Sequence, residues 1–269
     1  MSYFDRALIV IVLVGVLTGL AGVFVVLRKR VLFAQALTHA AFPGAIIATV
    51  LGASLQLGAL IACISLAIIM TFLGRIRGQG TQAASGVMLT AGFAAGVLLQ
   101  AMNPTIPIQL DSFLFGSILS ATWTDAAVAA GALLLIVTAL AVWGKQLIFF
   151  LFDADAYAAT GAKSWLMDAI LLLMTTLAVV AAMPAAGAIL AISLIAAPAA
   201  AARYITDKLT VMLWLSPVLG ALAGVTGLFI SKWWGVSAGA SIALVAAAIF
   251  FIAWGSFTLR RPAVIGVTA

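Results

Sequence analysis

Long apolar runs dominate this chain, and short polar or basic breaks separate them. A helix needs about 20 apolar residues to cross the hydrocarbon core of a bilayer. Nine runs qualify, at roughly 7–27, 32–51, 56–73, 81–101, 123–143, 166–183, 187–202, 209–230 and 237–256. The pattern predicts an all-α fold, a polytopic transmembrane helical bundle of about nine spans. The seventh run is short and alanine-rich, and reads as tilted, broken or partly spanning. Glycines four apart recur at Gly15 and Gly19, Gly92 and Gly96, and Gly220 and Gly224. In lipid such pairs let helix backbones approach closely, which is ordinary bundle packing. With no linker and no internal repeat, residues 1–269 read as a single transmembrane domain.

Composition agrees. The 269 residues are 66% hydrophobic and only 7% charged, glutamate is absent, and mean hydropathy is +1.31. A soluble domain carries roughly a quarter charged residues, so most of this surface must face lipid. Charge then sets direction. With "RKR" 28–30 on the inside, alternation puts Arg75, Arg77, Lys145, Lys163, Arg203, Lys208, Arg260 and Arg261 there too; only Arg6 and Lys232 fall outside. Cytoplasmic loops carry the excess of Lys and Arg, which predicts an outer N-terminus and a cytoplasmic C-terminus. The net charge of +6 is therefore a topology signal, not a sign of nucleic acid. The first run reads as a retained span, because no small-residue cleavage motif follows it. The lone Cys63 cannot form an internal disulfide and reads as a packing residue.

Two connections exceed a simple turn. The outer one, about 102–122, starts extended at Pro104 and Pro107. Its "SFLFGSIL" reads as a short amphipathic helix at the interface or one dipping into the protein. The inner one, about 146–165, contains "DADAYAATG". Asp153 reads as an N-cap and Gly161 as a C-terminal stop, enclosing about two turns of cytoplasmic helix.

The chemistry concentrates in the second span. "QALTHAAFPG", residues 35–44, carries the only histidine of the chain. His39 lies roughly 12 Å into the span at 1.5 Å per residue, and Gln35 sits one turn below on the same face. Thr38 is adjacent. Pro43 has no N–H for the carbonyl of His39. An imidazole, an amide and a freed carbonyl thus share one stretch. Such groups belong at a bundle interior or a cavity. Imidazole suits zinc and oxygen donors suit manganese, so a cation path is one reading. The other is a buried histidine hydrogen-bonded to a neighbouring helix beside a kink. Asp5, Asp111, Asp125, Asp153, Asp155, Asp168 and Asp207 map to loops, the N-terminus or span ends. No set of three or four ligands for a permanent site is offered, while conduction needs weak contacts.

These segments, in this order, resemble the permease subunits of bacterial ATP-binding-cassette importers for zinc, manganese and iron. "QALTHAAFPG" is similar to a family pattern Asp-Ala-x-x-His-Ala-x-x-Pro-Gly. "FLFGSIL" (113–119) resembles its outer segment, and "FDADAYAATGA" (152–162) its cytoplasmic coupling segment. "AAGAILAISLIAAPAAAARYI" (185–205) and the stretch after it resemble its C-terminal third. The family usually has Asp where this chain has Gln35, so the pair keeps an oxygen donor and loses a charge. The resemblance implies a multi-pass subunit of the bacterial plasma membrane that carries a divalent metal ion (manganese, zinc or iron) inward. It implies a homodimer, two separate ATPase subunits below and an extracytoplasmic metal-binding protein above, with no resident cofactor and the ion as cargo. His39, Gln35, Pro43 and Thr38 would line the pathway. Asp153, Ala154, Asp155, Ala156, Tyr157, Ala159 and Gly161 would meet the ATPase. Asp111, Asp125 and Lys232 are the candidates for docking the binding protein.

Three alternatives stand beside this reading. A permease for an iron or cobalamin chelate has related architecture but is generally longer. A self-contained secondary cation transporter usually places ionisable residues mid-membrane, and this chain has none there besides His39. A membrane enzyme would pair Ser65 or Ser85 with His39, but neither serine has a nucleophile's context.

Overall fold

The computed structural model describes residues 3–73, 81–103 and 116–260. Among them there is no strand, and nine helices follow one another: α1 Tyr3–Leu27, α2 Val31–Val50, α3 Leu55–Leu73, α4 Thr81–Met102, α5 Trp123–Phe152, α6 Ala154–Ala159, α7 Ser164–Ile205, α8 Leu209–Trp234 and α9 Ala238–Arg260. All but α6 are long and apolar enough to cross a membrane.

Small residues decide how the helices cross. Gly15 of α1 lies against Gly220 of α8, and Gly19 against Ser216 and Pro217. The sequence order runs oppositely, so the two helices are antiparallel. The Ser216 hydroxyl donates to the Gly19 carbonyl at 2.7 Å across this seam. Two glycine pairs that look separate in the sequence are the two faces of one crossing. Gly44 of α2 meets Gly58 of α3 in the same way, and Cys63 donates to the Leu37 carbonyl at 3.3 Å.

α7 has 42 residues, roughly 63 Å at ~1.5 Å per residue, about twice a bilayer core. It is broken at Gly187, where φ is 74° and ψ 168°, backbone angles that glycine adopts without a Cβ clash. Both ends of α7 lie at the same end of α1. Asp168, near its start, binds Arg28 and Arg30 just beyond α1. Ala199 and Ala202, near its finish, cluster with Val23. Between them, Ala182 through Leu194 pack among Val10, Ile11 and Val14. The chain therefore rises, turns back at Gly187 within the apolar layer, and returns. The expected sixth and seventh spans are the two legs of this broken helix. Pro184, three residues before Gly187, also lacks an N–H to donate.

The inner connection differs from expectation. α5 runs through "GKQLIFFLF" to Phe152, so the inner connection begins at Asp153 and not near 146. After Gly144 this stretch has no residue that stops a helix until Asp153 accepts the next N–H. At the described end of the outer segment, Ile118–Ser120 form one 3₁₀ turn. Ile118 is buried, and Gly116, at φ 66°, brings its backbone against Ala186 and Gly187. Residues 116–118 thus seat on the α7 break. The earlier part of the expected outer segment, including Asp111 and residues 113–115, lies outside the described residues, as do Arg75, Arg77 and Arg261.

Tryptophans mark both ends of the bundle. Trp123, Trp233 and Trp234 are exposed at one end, and Trp165 and Trp214 toward the end bearing Arg28. Rings of this kind favour the membrane–water interface.

Candidate metal pathway and coupling segment

α2 carries His39 on a helix that Pro43 leaves unbroken but one hydrogen bond short. The His39 carbonyl loses its regular partner. The imidazole is half-buried, and its Nδ1 is buried with no hydrogen-bond partner among the described residues. Its ring stands edge-on to Phe93 of α4, centroids 5.4 Å apart. Gly92 lets α4 come this close, because a Cβ there would already sit 3.3 Å from Ala40. At Gly96 a Cβ would run into the Phe42 ring. The third glycine pair of the sequence therefore packs α4 on the histidine helix.

The expected pathway residues do not all present polar atoms outward. Gln35 is half-buried, one turn from His39. Thr38 is buried and its hydroxyl donates back to the Gln35 carbonyl at 2.7 Å. Its side chain thus serves α2 itself. Ser65 likewise donates to the Ile61 carbonyl at 2.8 Å, so it is a helix back-bond and no partner for His39. Among the described residues no three His, Cys, Asp or Glu side chains come together. One chain by itself supplies an imidazole, an amide and a carbonyl. All are neutral donors when the histidine is unprotonated, and they are suited to brief contact with a cation.

The inner segment is built as its sequence requires. The Asp153 carboxylate accepts the Ala156 N–H at 2.8 Å and caps α6. Gly161 takes a left-handed conformation at φ 77° beyond its end, as a helix stop commonly does. Asp155 and Ala159 are exposed, and Ala154 and Ala156 partly so. Tyr157 is placed otherwise than a surface contact would be. It is 6% exposed, and its ring meets Phe149 and Phe150 edge-on at 5.6 Å each. It anchors α6 to the end of α5.

At the opposite end Asp125 is 9% exposed. It forms a capping box with Thr122 at the start of α5 and accepts the Gln56 amide at 3.1 Å. These bonds serve the fold. Lys232 is exposed, its ammonium 4.2 Å from the centre of the Phe4 ring.

Sequence reasoning passed over a cluster below α2. Arg28 and Arg30 both bind Asp168. Burial and then Arg30 pull the Arg28 guanidinium below its ordinary value, and Asp168 opposes them. A signal existed: Asp168 opens an apolar run on the side where "RKR" 28–30 lies.

Residues 1–256 match the ABC 3 transport family. The chain belongs to that family. It is 32% identical over 253 residues to the manganese transport system membrane protein MntC of Halalkalibacterium halodurans, covering 94% of this chain and 87% of that one. The manganese import system permease protein ScaB of Streptococcus gordonii is also 32% identical, over 94% of this chain and 90% of its own. Among solved structures, PsaBC from Streptococcus pneumoniae in complex with Fab superposes with a TM-score of 0.84. That chain is 32% identical, and the match covers 94% of this chain and 91% of it. As an ABC 3 member, this chain is a metal-uptake permease subunit, a transport component and not an enzyme, multi-pass in the bacterial plasma membrane.

Proposed function

We propose that the cargo of this permease is a divalent transition metal ion, manganese before zinc or iron, carried into the cell past His39. Relatives of similar length that bear manganese in their names support the ion. The observation that carries the route is the buried, unpartnered Nδ1 of His39 on a helix whose His39 carbonyl Pro43 has released. An unpaired buried polar atom costs about 1–3 kcal/mol, and a passing ion relieves that cost. Manganese accepts imidazole and oxygen donors. A neutral set holds it weakly enough to let it go. Gln35 in place of a carboxylate works in the same direction.

The assembly follows from this reading. The basic end faces the cytoplasm, the N-terminus is outside and the C-terminus inside. Two copies frame the pathway and complete the donor set that one chain lacks. Two ATPase subunits seat α6, and the exposed Asp153, Asp155 and Ala159 meet them. An extracytoplasmic binding protein delivers the ion to the other end, beside Lys232. ATP-dependent uptake of radioactive manganese by the reconstituted complex tests this. Zinc and ferrous iron serve as competitors, and an iron chelate as an alternative cargo. Manganese accumulation that requires ATP and the binding protein is expected. Transport of the chelate alone overturns the reading.

A further inference from the structure

The ion pairs of Arg28 and Arg30 end on one carboxylate. Arg30 reaches it through both ends of its fork, Nη1 to Oδ1 of Asp168 at 2.9 Å and Nη2 to Oδ2 at 3.2 Å. Arg28 Nη2 lies 3.3 Å from Oδ1. The side chains are only 19–25% exposed, so water screens these pairs less than surface ones.

The turn that holds the two arginines is stiff. The Arg30 N–H donates to the Val25 carbonyl at 2.9 Å, and the Lys29 N–H to the Val26 carbonyl at 3.0 Å. Lys29 is left-handed, at φ 55°. This pair of bonds closes the C-terminus of α1, so Arg28 and Arg30 move together. α2 starts at the next residue.

From Arg28 a second set of contacts leads to α6. Its guanidinium carbon lies 4.3 Å from the centre of the Phe150 ring. Phe150 touches Tyr157, the buried anchor of α6. The path from α6 to α2 is thus Tyr157, Phe150, Arg28, Asp168, Arg30. His39 lies nine residues above Arg30, roughly 13 Å along one helix. Beside the cluster are two cavities of about 320 and 430 Å³, one lined by Ser164 and Asp168, the other by Gln82 and Ser85, and both by Arg28 and Arg30. They leave the ion pairs room to re-form in a second geometry without compressing packed core.

We propose that Asp168 is a positioning residue for transport: it fastens the α1–α2 turn to the rings that anchor α6, so that movement of α6 shifts α2 and with it His39. This rests on the reading that α6 meets the ATPase. A basic turn alone would serve as a topology signal. It would not require a carboxylate from α7 gripping both arginines, nor a ring from the end of α5 beneath one of them.

The test uses the permease assembled with its ATPase subunits and binding protein in proteoliposomes, with ATP hydrolysis and manganese uptake measured together. Asp168→Asn keeps the size and removes the charge. Hydrolysis should persist while ions moved per ATP fall by about fivefold or more, the scale of an ordinary coupling energy. Asp168→Glu should recover part of the loss. An assembled Asp168→Asn complex with the wild-type ratio overturns the inference. If that variant fails to assemble, Arg30→Gln, which leaves Arg28 on Asp168, is read by the same ratio. Failure of both to assemble makes the cluster an assembly element and also overturns it. Ala158→Cys on the exposed side of α6, cross-linked to the ATPase, separates the two levels. No cross-link means that the coupling reading itself is wrong. A cross-link with an unchanged ratio in Asp168→Asn removes only the role of Asp168.

Discussion

At the scale of single residues the second span joins an unpartnered imidazole to a proline one turn above it. Its histidine has a buried nitrogen without a partner, and its proline withholds an N–H from the carbonyl one turn below. Most buried polar side-chain atoms have a partner, so a histidine nitrogen without one beside a released carbonyl points to a ligand. His39→Ala is therefore expected to leave assembly intact and to cut manganese uptake per assembled complex by about tenfold or more, equivalent to ~1.4 kcal/mol. A wild-type specific rate in that variant would eliminate the pathway role. Pro43→Ala separates the two properties more sharply. It lets α2 close its hydrogen bond, so thermal stability should rise or hold while uptake falls. Loss of stability with normal uptake would assign the proline to folding alone.

At the scale of elements, backbone proximity decides which helices pair. Gly15 and Gly220 bring α1 and α8 together so closely that a Cβ on Gly15 would lie 2.7 Å from the Gly220 carbonyl carbon. Gly131, on α5, has open space at the same position. Gly15→Ala should lower the unfolding midpoint of the purified permease, with a cost of about 1–3 kcal/mol from overpacking. Gly131→Ala should leave it unchanged or raise it slightly, because alanine is the better helix former. Equal effects at the two sites would mean that the α1–α8 seam yields easily. The elements also explain where Tyr157 went. The cap at Asp153 and the stop at Gly161 were legible because each acts on its own neighbours. The direction of the tyrosine depends on where α5 ends, and that lies outside the segment.

At the scale of the whole molecule, the two ends differ in charge. Arg28, Lys29, Arg30, Lys163, Arg203 and Lys208 gather at one end, and Arg6 and Lys232 at the other. The charge bias predicts that a cysteine replacing Ala154 is labelled only from the cytoplasm and one replacing Ser237 only from outside. Labelling of position 237 from the cytoplasm would invert the orientation. The hairpin in α7 is what reconciles eight long helices with this alternation, since α8 must begin at the end where α7 began.

The chain by itself determined its class, its apolar segments, its caps and the singularity of His39. Each of these follows from hydrophobicity, local hydrogen bonding or the count of a residue type, all of which are properties of a short stretch. It also pointed to the weak seventh span, through its shortness and its alanine content. Tertiary structure decided the rest. That Gly15 and Gly220 are one crossing, that α7 turns back beneath Gly116, and that Arg28, Arg30 and Asp168 share one site are meetings of residues far apart in sequence. Tertiary structure also brought the Gln56 amide of α3 onto Asp125, which caps α5 with its own neighbour Thr122. Local pattern fixes which groups need a partner, whereas the packing of apolar helices, governed by where backbones can approach, fixes which partner each one finds.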